Sequence, residues 1–159
     1  MHLLMAFALA ASFAPAPGEL ISYDERVPAG ARATVMVLPV AGRTAVALRV
    51  TGLLPHRDYG THAHVNPCGP KPEDAGPHYQ NVPDPVSPST DPSFANPRNE
   101  IWLDFTTDGR GRGIAHTVVP WQFTDRRANS IVLHAERTHT EPGHAGTAGA
   151  RLGCLTVRF

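Results

Sequence analysis

Apolar and polar residues alternate in short runs along most of this chain. Val46, Leu48 and Val50 share one parity, with Ala47 and Arg49 between them. On an extended backbone that places the apolar side chains on one face. Runs of this kind cover residues 19–27, 32–38, 44–51, 60–65, 100–107, 113–123, 130–136 and 153–158, and predict eight strands. Turn-forming residues separate them, among them Val40-Ala41-Gly42-Arg43 and Thr107-Asp108-Gly109-Arg110. No segment carries a sustained apolar stripe at the helical period. The expected class is all-β, with the strands packed as an antiparallel sandwich or barrel.

Two segments break the rhythm. Between Pro67 and Pro97 there are nine prolines, which remove donors from any ladder and exclude a sheet interior. A connection this long inside one domain is expected to be functional or disordered. It begins at Cys68 and holds His78. The second irregular segment, 138–150, is rich in Gly, Thr and His.

The chain starts with an apolar stretch, Leu3 to Ala14, interrupted only by Ser12. It is too short to span a bilayer and has the length of a signal-peptide core, with Ala14-Pro15-Ala16 as a cleavage motif. Residues 1–17 are therefore expected to be a signal peptide and residues 18–159 the working domain. The protein is then exported, whether secreted, periplasmic or held in the cell envelope. No membrane-spanning segment is expected in the mature chain.

Composition narrows the function. The 159 residues suffice for one domain. Lys+Arg and Asp+Glu are 14 each, so no basic surplus exists for tracking phosphates, and nucleic acid is not an expected partner. The unusual count is nine histidines. Two cysteines, Cys68 and Cys154, form an even set that in an exported protein favours one disulfide.

Thr61-His62-Ala63-His64-Val65 sets two imidazoles at i and i+2, on the same face of a strand and close enough to grip one ion. Alone, the pattern also fits paired surface histidines or a zinc hydrolase. The extended form many such hydrolases carry is absent, since Asn66-Pro67 follows. A blue-copper centre needs a thiolate that the paired cysteines do not offer. Further histidines sit in Ala75-Gly76-Pro77-His78-Tyr79 and in Ile131-Val132-Leu133-His134. The segment Gly146-Thr147-Ala148-Gly149-Ala150-Arg151-Leu152-Gly153-Cys154 closes the second irregular stretch.

Taken together, these four motifs resemble the Cu/Zn superoxide dismutase family, in its order and near its spacing, over roughly residues 44–159. The resemblance implies an eight-stranded Greek-key β-barrel and a copper-dependent conversion of superoxide to oxygen and hydrogen peroxide. It makes His62, His64, His78 and His134 copper ligands, with His78 the residue that bridges to zinc in two-metal members. In the cycle it implies, His78 leaves the metal and takes up a proton. Arg151 matches the arginine that guides and holds the anion, and Cys68 with Cys154 matches the family's disulfide.

The chain also departs from the pattern. Between His78 and His116 it has no histidine to complete a zinc site, and Thr138 stands where the family has an orienting aspartate. A copper-only relative is therefore expected, with copper as cofactor and zinc not. His116, His139 and His144 are expected to be ordinary exposed or hydrogen-bonded histidines. Without zinc, His78 needs another partner for its second nitrogen. Glu100 and Asp104 open the strand that follows the proline-rich segment, and Glu100 is favoured. The rival readings are a non-enzymatic copper-binding or copper-delivery protein on the same fold, and a sandwich whose metal site has decayed.

Overall fold

The longest antiparallel pairing joins β3 (Arg32–Val40) to β4 (Arg43–Thr51). The connecting turn has positive φ at both Ala41 (46°) and Gly42 (77°), the backbone of a two-residue turn whose twist matches the strands it joins. Glycine adopts that conformation freely, whereas Ala41 does so at a cost. In β4, Thr44, Val46, Leu48 and Val50 are buried while Arg43, Ala47 and Arg49 are exposed, so the alternation in the sequence is the alternation of the faces. Each large apolar side chain on the inner face contributes about 1.5–3 kcal/mol by its burial.

In this computed structural model, residues 17–159 are described. The expected signal peptide lies outside them, apart from Pro17. Two antiparallel sheets face each other. One runs β1 (Gly18–Glu19), β3, β4, β7 (Gly113–Val119). The other runs β2 (Ile21–Ser22), β9 (Arg151–Thr156), β8 (Ser130–His134), β5 (Asp58–His64), β6 (Phe105–Thr106). The core between them holds Leu48, Val50, Tyr59, Ile101, Leu103, Ile131, Leu133 and Leu152.

The described residues form two facing antiparallel sheets, which is the sandwich of the two packings expected and not the closed barrel. Three further expectations are corrected. The described residues contain nine strands where eight were expected. The first expected strand is two short pieces that pair with different sheets: β1 with β3, and β2 with β9. The expected strand 100–107 reduces to β6. The residues before it still run beside β5 through Ala63 N–H to Ile101 O (3.2 Å) and Leu103 N–H to Thr61 O (2.7 Å).

The proline-rich segment is built from turns, with a 3₁₀ turn at Pro72–Ala75. It is tied to β5 by Tyr79 N–H to Ala63 O (2.8 Å) and Val65 N–H to Pro77 O (3.1 Å). The disulfide Cys68–Cys154 fastens its start to β9. Closing a loop of 86 residues is worth about 4 kcal/mol in the chain-entropy account. Among the described residues no helix is long and apolar enough to cross a membrane.

Candidate metal centre

On β5 and β8 the inner parity faces the core: Tyr59 and Ala63, Ile131 and Leu133. The other parity carries His62 and His64 on β5, with Val132 and His134 on β8. Register sets them side by side, with Gly60 opposite His134, His62 opposite Val132, and His64 opposite Ser130. The outer face of a sheet normally meets water. Here it is covered, and every residue of β8 is buried. The proline-rich segment brings His78 against β5 through a bridge between His64 and His78. One ring nitrogen from each of His62, His64, His78 and His134 lies within 4.8 Å of the others.

The remaining nitrogens are individually held. His64 Nδ1 lies 2.9 Å from Gly76 O, and His134 Nδ1 lies 3.3 Å from Gly149 O. A carbonyl only accepts, so both rings carry the proton on Nδ1 and present a bare Nε2. His78 Nδ1 lies 2.8 Å from Glu100 Oε2, which fixes the same tautomer. His62 is turned the other way, with Nε2 2.6 Å from Thr138 Oγ1. What is left over is His62 Nδ1, His64 Nε2 and His134 Nε2, all buried without any hydrogen-bond partner.

Buried polar atoms are nearly always paired. Three converging lone pairs without donors are what a cation would satisfy, and imidazole donors suit copper or zinc. The residues present therefore fit the metal that the sequence resemblance implies. Burial holds His62 and His64 well below the usual imidazole range, and the neighbouring His78 adds to this. His134 is pushed down to about 3, by burial first and then by His78. All three are neutral near pH 7, the form that ligates.

Glu100 sits behind His78, 1% exposed, and accepts also from Gln80 Nε2 (2.8 Å) and Trp102 Nε1 (2.6 Å). Asp104, the other carboxylate considered for His78, faces His62 instead, 3.9 Å away and through Thr138.

Arg151 reaches the cluster because β9 carries a bulge. Leu133 pairs with Gly153, but His134 pairs with Arg151, so Leu152 is passed over and goes into the core. Bulges re-aim side chains in this way. The period-two reading of 153–158 gave no sign of it. The guanidinium donates to Pro72 O (2.9 Å) and Gly76 O (2.8 Å). Glu136 and Glu141 pair with His139 and not with Arg151. Gly76 thus presents one carbonyl to both His64 and Arg151. Its φ of 70° is a conformation that glycine adopts freely, and a Cβ there would lie 2.7 Å from Val65 Cγ2.

A cleft of about 470 Å³ opens onto the cluster, lined by His78, His134, Glu100 and Arg151 among others. His116 is exposed on β7, and His144 stands in the 138–150 segment with its ring 6.5 Å from that of His139.

No protein-family model matches the chain, and no curated protein matches it. Solved structures do. The Cu/Zn superoxide dismutase from Brucella abortus superposes with a TM-score of 0.62 at 19% identity, covering 89% of this chain and 97% of its own. The clock protein EA4 superposes with a TM-score of 0.60 at 18% identity, covering 97% and 98%. The likeness is one of fold.

Proposed function

We propose that the protein is a copper-dependent superoxide dismutase, taking two superoxide anions and two protons to one oxygen and one hydrogen peroxide. The observation that carries this reading is the set of three buried, unpartnered imidazole nitrogens, with a fourth imidazole beside them and an arginine on the same cleft. His62, His64 and His134 would hold the ion, with His78 as fourth ligand. Copper, when bound, would supply the one-electron oxidation and reduction that the reaction needs.

The protein's own residues do the rest. Gly76, Gly149 and Thr138 hold three rings in orientation, so little reorganisation accompanies a change in the metal's charge. His78 is the least enclosed of the four, with 19% of its side chain exposed. It is the ring best placed to carry a proton to the reduced product. Arg151 places a fixed positive charge on the cleft, raising the local concentration of a small anion. Glu100 engages His78 Nδ1 and so occupies the ring nitrogen that a second metal would need, which supports copper alone. Residues 18–159 form the working domain of an exported protein, and the disulfide fits an oxidising compartment.

The second reading is a copper-binding or copper-delivery protein without catalysis. Such a protein has no need of a cation over the metal cleft, and Arg151 favours the enzyme. The test is superoxide removal by copper-loaded protein, followed by rapid mixing. A rate well above that of the metal-free chain is expected. Stoichiometric copper without any such rate would support delivery.

A further inference from the structure

Thr138 and Asp104 belong to neither the ligand set nor the partner of His78, yet they converge on His62. His62 is fully buried, and its Nε2 lies 2.6 Å from Thr138 Oγ1. The hydroxyl donates in turn to Asp104 Oδ1 (2.8 Å). The same carboxylate accepts Thr138 N–H on Oδ2 (2.8 Å) and Thr61 N–H on Oδ1 (3.1 Å). Two backbone amides thus pin the carboxylate, and one of them belongs to the residue next to His62.

The order of donors has a consequence for the ring. A hydroxyl has one hydrogen. With that hydrogen committed to Asp104, Thr138 Oγ1 can only accept from His62, so His62 must carry its proton on Nε2. Its lone pair then sits on Nδ1, the unpartnered atom that faces the cluster. The opposite tautomer would aim an N–H at the three other imidazoles and leave Thr138 and Asp104 mispaired.

We infer that Thr138 and Asp104 form a hydroxyl–carboxylate relay that fixes the tautomer and orientation of His62 for metal binding. Its role in metal binding rests on the copper reading above; the tautomer does not. Both are positioning residues, acting through His62. The relay also couples the site to two connections at once, since Thr138 opens the 138–150 segment and Asp104 precedes β6.

The test reads the ring directly. In metal-free, 15N-labelled protein at neutral pH, long-range 1H–15N correlation is expected to show His62 as the single Nε2–H tautomer. Thr138→Val keeps the shape and removes the hydroxyl. It is expected to give a mixed or reversed tautomer and to weaken copper binding by about 10–100-fold, measured by competition with a chelator. Thr138→Ser is expected to restore both. A wild-type ring protonated on Nδ1 overturns the relay, and this reading needs no variant to fold. So does Thr138→Val with an unchanged tautomer and unchanged affinity. A correct tautomer in a chain that binds no copper leaves the relay standing and rejects the copper reading instead.

Discussion

His134 and Arg151 lie opposite each other on neighbouring strands and make separable contributions. His134 offers a buried, unpartnered Nε2. His134→Ala is expected to cost more copper affinity than the roughly 10–100-fold typical of an orienting partner; retained stoichiometric binding at wild-type affinity would reject it as a ligand. In the proposed reaction Arg151 acts on the anion. Arg151→Met is expected to keep the copper and to lower kcat/KM for superoxide by about tenfold, with a flatter dependence on ionic strength. An unchanged rate and salt profile would remove Arg151 from the reaction. The sequence singled out the four histidines, Arg151 and Glu100, and the fold brings them together. Thr138 was noticed only as a residue out of place, because a threonine carries no signal of its own without the carboxylate that Asp104 brings from 34 positions away.

At the scale of elements, connections build the site as much as strands do. Gly76 orients His64 and Arg151 from the proline-rich segment, which the disulfide anchors to β9. Cys68→Ser with Cys154→Ser is expected to lower stability by about 4 kcal/mol and to weaken copper binding as well. Denaturant unfolding with a parallel copper titration checks both, and intact affinity in the double variant would disconnect the disulfide from the site. In the β3–β4 turn, Ala41→Asn relieves a positive φ that asparagine tolerates. A gain of about 1 kcal/mol is expected, or roughly 2–4 °C in the thermal midpoint. The long alternating strands were readable because one face is wet and the other dry. The pieces β1 and β2 were not, since two residues carry no period and their pairing is decided by other strands. The bulge at Leu152 escaped for a related reason: it is a defect in the very alternation used to find strands.

Over the whole molecule, the buried histidines link stability to pH. His62, His64 and His134 are held neutral by burial, whereas in the unfolded chain each protonates near pH 6.5. Below that pH the unfolded state binds more protons, so stability is lost as pH falls. The slope is about 1.4 kcal/mol per pH unit for each group, until the folded value is reached, about 3 for His134. His139 has the opposite sign, being raised by Glu136 and Glu141, but it lies at the surface, where solvent screens the pair. The metal-free protein is therefore expected to show a thermal midpoint that drops steeply between pH 6.5 and 5. A flat profile would mean that the rings are not buried as neutral imidazoles. The sequence indicated a β-sandwich or barrel; it could not choose between them, because closure depends on whether the edge strands pair across the gap.

The most direct measurement is a copper titration of the metal-free protein with metal analysis and electron paramagnetic resonance. The account predicts one Cu(II) per chain in a nitrogen-rich, near-planar signal, and loss of that signal in His134→Ala. A chain that takes up no stoichiometric copper, or whose signal survives that substitution unchanged, contradicts it.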